Sequence, residues 1–131
     1  MAKMIHSMIR VTDEARSVAF YEQAFGLTVA GRYAFDGFTL IYMSNRETGF
    51  ELELTVNASA SGPYDLGTGY GHMAFSVDDI DAEHARLKAA GLTVGDVKDM
   101  PFEGKPFARF FFLSDPDGYK IEVLQRGGRF L

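Results

Sequence analysis

Two histidines and two glutamates recur at similar intervals along the 131-residue chain. His6 and His72 lie 66 positions apart, and Glu53 and Glu122 lie 69 positions apart. Imidazole nitrogens suit zinc, nickel, cobalt and ferrous iron, and carboxylate oxygens also accept harder ions such as manganese. Four such ligands with room left for water would form an open metal site of the catalytic kind. The first hypothesis is therefore a divalent metal centre that combines these four side chains.

A repeat within the sequence makes these four residues equivalent in pairs. Three pairs of similar segments keep nearly the same offset: 6–11 with 72–77, 26–29 with 91–94, and 50–54 with 119–123. The second pair is the identical tetrapeptide Gly-Leu-Thr-Val. Without the repeat, a strand histidine is more often structural than a ligand, and an alternating glutamate is usually solvated. Three segments in register indicate a duplicated module and favour the metal hypothesis.

Each half is predicted to fold as a β-α-β-β-β module. In the first half the predicted elements are a strand at 5–11, a helix at 15–25 and strands at 27–35, 38–43 and 50–56. In the second half they are a strand at 72–77, a helix at 79–90 and strands at 92–98, 107–113 and 119–124. The predicted fold class is α+β. One domain over residues 1–131 contains tandem modules at about 4–57 and 70–125, whose curved mixed sheets enclose a metal-binding cleft.

The two-residue period of a strand predicts which side chains share a face. His6 shares a face with Met8 and Arg10, and Glu53 shares a face with Thr55. If the first and last strands of a module are neighbours, the histidine and the glutamate of that module point into one concavity. The residues expected in the apolar core include Met8, Phe20 and Phe112.

Composition excludes several other classes of function. The chain has no cysteine, which rules out a disulfide framework, a thiolate metal site and a cysteine nucleophile. Its net charge of −5 disfavours binding to a phosphate backbone. The first residues lack the continuous apolar stretch of a secretory signal, and no apolar run approaches the roughly 20 residues that span a bilayer. A cytoplasmic location is expected. The third histidine, His84, lies among charged residues and is expected at the surface.

The sequence resembles glyoxalase I (lactoylglutathione lyase) of the vicinal oxygen chelate superfamily over residues 4–125. Four segments carry the resemblance, at 6–11, 53–57, 64–72 and 115–122. The last two read Tyr-Asp-Leu-Gly-Thr-Gly-Tyr-Gly-His and Asp-Pro-Asp-Gly-Tyr-Lys-Ile-Glu. They are fairly specific for this enzyme branch, whereas a β-α-β-β-β repeat alone would support only the superfamily.

The resemblance implies roles for particular residues. The positions of the family's metal ligands are occupied by His6, Glu53, His72 and Glu122. Arg10 and Asn57 fall where the family contacts glutathione. The resemblance also implies a homodimer in which the N-terminal module of one chain faces the C-terminal module of the other, so that each site takes ligands from both subunits. The short chain, with histidine as its first ligand, is similar to the bacterial branch. Nickel is therefore the expected metal, with zinc or cobalt as alternatives.

The implied reaction converts the hemithioacetal of methylglyoxal and glutathione to S-lactoylglutathione. It moves a proton from C1 to C2, and a divalent ion bound to both substrate oxygens would stabilise the charge that develops. A carboxylate must take and return this proton, and in an apolar cleft it is a stronger base than in water. Glu122 is predicted as the principal base, with Glu53 able to serve the other face of the substrate.

The sequence alone leaves other functions open. One is another metal-dependent member of the superfamily, such as an isomerase, an epimerase or a dioxygenase. A dioxygenase typically needs two histidines and only one carboxylate, which disfavours it. The remaining alternatives are a metal-free drug-binding protein and a non-catalytic dimerisation domain, neither of which needs all four ligands. The segment 100–109 departs from the family's Gly-rich approach to its strand, which leaves the identity of the thiol carrier open.

Overall fold

The duplication is present as two units, Met1–Asp65 (unit 1) and Leu66–Leu131 (unit 2), in a computed structural model that describes residues 1–131. Unit 1 contains β1 (His6–Arg10), α1 (Glu14–Phe25), β2 (Thr28–Phe35), β3 (Phe38–Ser44) and β4 (Glu51–Asn57). Unit 2 contains β5 (Met73–Val77), α2 (Ile80–Ala89), β6 (Lys98–Phe102), β7 (Lys105–Ser114) and β8 (Lys120–Gln125). Each unit has the order β-α-β-β-β, which confirms the predicted α+β class of tandem modules.

Each unit contains one mixed four-stranded sheet. The strand order is β1-β4-β3-β2 in unit 1 and β5-β8-β7-β6 in unit 2. The first strand of each unit pairs in parallel with the last strand, and the other neighbours pair antiparallel. The expected adjacency of first and last strands is therefore correct. It places residues from the two ends of each unit side by side.

The hydrophobic core of each unit lies on one face of its sheet. The buried apolar residues of unit 1 are Ile9, Val11, Phe20, Tyr21, Ala24, Leu27, Ile41, Met43, Leu52 and Leu54. Those of unit 2 are Ile80, Leu87, Phe111, Leu113, Tyr119, Ile121 and Val123, whereas Leu124 is buried on the opposite face, two residues beyond Glu122. Because strand side chains alternate in direction, burying one set leaves the alternate set on the opposite face, where the candidate site residues lie.

Both helices begin with the same capping interaction. Asp13 and Asp79 adopt extended backbone conformations, and each side chain accepts a hydrogen bond of 3.0 Å from a backbone N–H three residues later. Such a cap contributes about 1 kcal/mol to helix stability. Helix α1 ends at Gly26 in the left-handed region, with φ of 62°, which a glycine adopts without steric cost. Neither helix is both long and apolar enough to cross a membrane.

The predicted position of one strand is wrong. A strand was expected at 92–98, but β6 runs over Lys98–Phe102, and Val94 forms only an isolated bridge to Leu113. The hairpin to β7 turns at Glu103 and Gly104, which have φ values of 50° and 76°. Consecutive positive φ angles are typical of the tight turns that join hairpin strands.

Two prolines obscured this hairpin in the sequence. Pro101 and Pro106 face each other across β6 and β7, beside an irregularity in the pairing. A proline removes one ladder hydrogen bond and is tolerated at sheet edges. Strand β6 is an edge strand, and the pairing of β7 with β8 begins only at Phe110. Both prolines therefore lie where a missing N–H leaves few partners unsatisfied.

Candidate functional site

The first candidate pair joins the two end strands of unit 1. Nε2 of His6 lies 2.9 Å from Oε2 of Glu53. In the parallel pairing of β1 with β4, Met8 is opposite Glu53, so His6 reaches the carboxylate diagonally across the sheet. The Glu53 side chain is 10% exposed, whereas that of His6 is 38% exposed. The imidazole thus faces solvent while the carboxylate lies deeper against the sheet.

The second pair repeats this arrangement in unit 2. Nε2 of His72 lies 3.0 Å from Oε2 of Glu122, with side-chain exposures of 43% and 15%. His72 immediately precedes β5, in which Ala74 is opposite Glu122. The spacing is the same as in unit 1, where Met8 follows His6 by two residues. The structure therefore brings each predicted histidine together with the predicted glutamate of its own unit.

An aromatic residue lies beneath each pair. Tyr42 is opposite Glu53 in the β3–β4 pairing, and its ring meets that of His6 edge-on at 5.8 Å. Phe112 is opposite Glu122 in the β7–β8 pairing, and its ring meets that of His72 edge-on at 5.3 Å. The expectation that Phe112 belongs to the core is wrong, since it is half-buried on the site face.

The sequence reasoning did not single out Tyr42. The Asp36-Gly37 hairpin fixes the register of β2 against β3, but the longer loop between β3 and β4 leaves the next register undetermined. Once that register is known, the residue opposite Glu53 follows directly. Alternation along β3 then puts Tyr42 on the open face, between the buried residues Ile41 and Met43.

The hydroxyl of Tyr42 interacts with the carboxylate of Glu53. Partial burial raises the pKa of Tyr42 above its usual value, and the negative charge of Glu53 together with a hydrogen bond to its carboxylate raises it further. Glu51 and Tyr33 add smaller contributions in the same direction. The hydroxyl of Tyr42 therefore stays protonated over the physiological pH range.

The two residues expected to bind substrate lie on the same sheet of unit 1. Arg10 is exposed at the end of β1, on the face that carries His6. Asn57 ends β4, and its Nδ2 donates a hydrogen bond of 3.3 Å to the hydroxyl of Tyr64. A surface cavity of about 370 Å³ adjoins this bond and is lined by Asn57 and residues 59–64. Asn57 is thus held at the edge of an open, polar depression.

Three other expectations have mixed outcomes. Phe20 is buried as expected, but Met8 is 39% exposed on the face that carries His6. His84 is half-buried rather than at the surface. Its Nε2 lies 2.8 Å from the carbonyl oxygen of Gly95, and its ring packs edge-on against Phe111. His84 therefore has a structural role, in which it ties α2 to the segment that precedes β6.

The donor chemistry of each pair fits a divalent ion of the borderline class. An imidazole nitrogen and a carboxylate oxygen are ligands that such ions share, and in each pair they lie close enough to bind one ion. The chain assembles no group of three or more His, Cys, Asp or Glu side chains that could hold a metal. Each unit by itself therefore provides two ligands, which is half of the predicted set.

Comparison with known proteins identifies the family. Residues 3–123 match the family model of the Glyoxalase/Bleomycin resistance protein/Dioxygenase superfamily, and the chain belongs to this superfamily. Membership points to a divalent metal in general. The protein named "Probable lactoylglutathione lyase" from Vibrio parahaemolyticus is 35% identical to this chain, over 94% of the chain and 90% of its own length.

Solved structures give the same result. Glyoxalase I from Zea mays superimposes with a TM-score of 0.80 at 30% identity, over 96% of this chain. This chain spans only 45% of the maize chain. The trypanothione-dependent glyoxalase I of Leishmania major superimposes with a TM-score of 0.75 at 31% identity, over 95% of this chain and 87% of its own. Within the superfamily, the chain is therefore an enzyme of the glyoxalase I type.

Proposed function

We propose that the protein isomerises the hemithioacetal of methylglyoxal and glutathione to S-lactoylglutathione, and so detoxifies methylglyoxal. The proposed site holds one divalent metal, bound by His6, Glu53, His72 and Glu122. The observation that supports it most directly is the duplicated pair: the same imidazole–carboxylate contact, at 2.9 and 3.0 Å, occurs in both units. The curated relatives that match nearly the full chain carry the corresponding name.

The metal and the carboxylates have separate tasks in this proposal. A bound divalent ion supplies Lewis acidity, which stabilises negative charge on the substrate oxygens as a proton leaves carbon. Glu122 accepts the proton from C1 and returns it to C2. The ring of Phe112 lies beside the Glu122–His72 pair and provides an apolar wall that limits access of water. Glu53 is proposed as a ligand together with His6 and as the carboxylate that can serve the other face of the substrate.

Arg10 and Asn57 are proposed to bind the thiol carrier. Glutathione ends in carboxylates, and the guanidinium of Arg10 offers two parallel donors that match a carboxylate. The amide of Asn57 offers both a donor and an acceptor, and its bond to Tyr64 fixes its orientation. Trypanothione appears in the name of one structural relative, so the carrier has to be tested with more than one thiol.

Nickel is the proposed metal, with zinc and cobalt as alternatives. A homodimer is also proposed, in which unit 1 of one chain and unit 2 of the other complete each site. Two ligands per unit support this arrangement, because a four-ligand site then needs both units. The cytoplasmic location and the single domain over residues 1–131 stay predictions.

The first experiment measures turnover and metal content together. The metal-free protein is loaded with Ni²⁺, Zn²⁺ or Co²⁺ and assayed with the methylglyoxal hemithioacetals of glutathione and of trypanothione. We expect S-lactoylglutathione to form with glutathione only when metal is present, with the highest rate for Ni²⁺. A fully metallated but inactive protein would contradict the proposed reaction and favour another carbon acid as substrate.

A second experiment tests whether each site is shared between chains. His6→Ala and His72→Ala, each inactive alone, are mixed under conditions that exchange subunits. In a shared-site dimer half of the dimers are mixed, and each mixed dimer holds one intact site, so about a quarter of the wild-type activity returns. If each site lies within one chain, the mixture stays inactive.

A further inference from the structure

The two histidines of the proposed metal site differ in how their backbone is held. His6 is the first residue of β1 and lies opposite Glu51 in the parallel ladder. The ladder continues past His6, because the N–H of Glu51 donates a hydrogen bond of 3.0 Å to the carbonyl oxygen of Ile5. His72 lies outside the ladder of unit 2, in which the pairing of β5 with β8 begins at Met73. Other contacts must therefore hold His72.

A tyrosine two residues before His72 reaches across to β8. The hydroxyl of Tyr70 donates a hydrogen bond of 2.8 Å to the carbonyl oxygen of Lys120, the first residue of β8. The ring of Tyr70 packs edge-on against the ring of Tyr119, with 5.1 Å between the ring centres. The side chain of Tyr70 thus holds the segment that carries His72 against the strand that carries Glu122.

The end of β8 that Tyr70 contacts is itself fixed by the turn before it. Asp115 is buried, and its Oδ1 accepts hydrogen bonds of 2.9 Å from the backbone N–H groups of Asp117 and Tyr119. The backbone N–H of Asp115 also donates a hydrogen bond of 2.9 Å to the carbonyl oxygen of Tyr119. Tyr70 is therefore bonded to a part of the chain whose own position is well defined.

Unit 1 holds its histidine without such a side chain. The repeat makes Met4 the equivalent of Tyr70, because each lies two residues before the histidine of its unit. Met4 is 76% exposed, and its thioether has no hydrogen to donate. In unit 1 the backbone bond between Glu51 and Ile5 extends the ladder, and in unit 2 a tyrosine hydroxyl links the same two segments.

We propose that Tyr70 is a positioning residue that holds His72 beside Glu122 before the metal binds. This inference rests on the proposed function, because His72 is a ligand only in the proposed metal site. An ion that meets a ligand already in place does not have to order the chain, and the saved entropy strengthens binding. Tyr70 acts through the short stretch of backbone that joins it to His72.

The first test observes the histidines of the metal-free protein and requires neither metal nor turnover. The chain has three histidines, so their imidazole signals can be assigned one by one in an NMR spectrum. Tyr70→Phe removes only the hydroxyl. We expect the signals of His72 to shift or broaden, while those of His6 and His84 stay as in the wild type. Unchanged signals of His72 would overturn the positioning role, as would an equal change in all three.

The second test measures Ni²⁺ affinity in competition with a chelating dye. One hydrogen bond typically changes an equilibrium constant by about fivefold, so we expect Tyr70→Phe to bind Ni²⁺ about fivefold more weakly. Met4→Ala is the matched control in unit 1 and should bind Ni²⁺ as tightly as the wild type. Wild-type affinity in Tyr70→Phe, or an equal loss in Met4→Ala, would overturn the inference. Urea unfolding of the metal-free variants checks that both still fold.

The proposed reaction and the role of Tyr70 can fail separately. If the wild type turns over the hemithioacetal but Tyr70→Phe matches it in both tests, the inference fails and the proposed reaction stands. If the wild type binds Ni²⁺ without turnover but Tyr70→Phe shows both expected changes, the proposed reaction fails and the positioning role stands. A wild type that binds no divalent metal would overturn both.

Discussion

The two units share the geometry of their histidine–glutamate pairs but differ in the side chains around them. Four residues beyond the histidine, unit 1 has Arg10 where unit 2 has Ser76. Two residues beyond the glutamate, unit 1 has Thr55 where unit 2 has Leu124. At these two positions unit 1 is therefore cationic and polar, whereas unit 2 has a small polar residue and an apolar one.

This difference separates metal binding from substrate recognition in the proposed site. A metal bound as proposed needs ligands at fixed distances, so replacing the histidine or the glutamate of either unit should weaken its binding. Neighbouring positions contact substrate or solvent and are free to diverge. In the proposed enzyme, unit 1 supplies recognition of the thiol carrier through Arg10 and Asn57. Unit 2 supplies the carboxylate that moves the proton.

The largest effect that would test this division comes from the two glutamates. Glu122→Gln keeps the size of the side chain but removes the base, and we expect kcat to fall by about 10²- to 10⁴-fold. Glu53→Gln should reduce kcat less, because Glu122 and not Glu53 is predicted as the principal base. Steady-state kinetics of the nickel-loaded variants, with metal content measured in parallel, checks this. Equal losses would mean that the units share the proton transfer.

Equivalent core positions allow the stabilities of the two sheets to be compared. Ile41 and Phe111 precede Tyr42 and Phe112, and both are fully buried. Ile41→Ala should cost about 2–5 kcal/mol and Phe111→Ala about 3–5 kcal/mol of unfolding free energy, from lost burial and the cavity left behind. Urea unfolding of the metal-free protein measures both. A loss below about 1 kcal/mol at either position would contradict the core assignment.

Recognition of the thiol carrier should depend on unit 1 alone. A hydrogen bond to a charged group contributes about 1.5–3 kcal/mol, so Arg10→Ala should raise KM by about 10- to 100-fold with little change in kcat. Ser76→Ala, at the equivalent position of unit 2, is the matched control and should leave KM unchanged. A similar rise in both variants would mean that the carrier contacts both units.

The smallest expected effect concerns an ion pair in unit 1. Arg32 makes two hydrogen bonds to the carboxylate of Glu14, one of them 3.0 Å long, and they lower the pKa of Glu14. The stability from this pair is therefore present above the pKa of Glu14 in the unfolded chain and is lost as pH falls through its lower folded value. Both groups are exposed to solvent, which screens their interaction, so the contribution should be small. Arg32→Gln should reduce stability near neutral pH and flatten its decline in acid, as measured by urea unfolding between pH 3 and 7.

The two histidine–glutamate contacts could be predicted from the sequence because they depend on two robust regularities. Alternation along a strand assigns the face of His6 and Glu53, and the repeat assigns the same arrangement to His72 and Glu122. The aromatic residues beneath them were not assigned, because Tyr42 and Phe112 depend on the pairing register of β3 with β4 and of β7 with β8, which alternation along one strand does not give. A one-residue change of register moves every side chain to the other face.

The missed strand has a different cause. Prolines usually indicate loops, and the two prolines of the β6–β7 hairpin are tolerated only because of where they fall in the sheet. The place of a strand within the sheet depends on the whole folded unit, so the residues around each proline do not reveal it. His84 was misjudged for a related reason, since charged neighbours along the helix did not reveal its contacts with Gly95 and Phe111.

The parallel pairing of the first strand with the last makes each ligand pair a late product of folding. His6 and Glu53 are separated by 47 positions, and they meet only after the helix and the intervening hairpin have brought the chain back on itself. Closing a loop of this length carries an entropic cost that local contacts do not. During synthesis, a unit cannot pair its histidine with its glutamate until its final strand has been added. In the proposed site, a bound ion would therefore stabilise the units in which this strand is paired over every partly folded form.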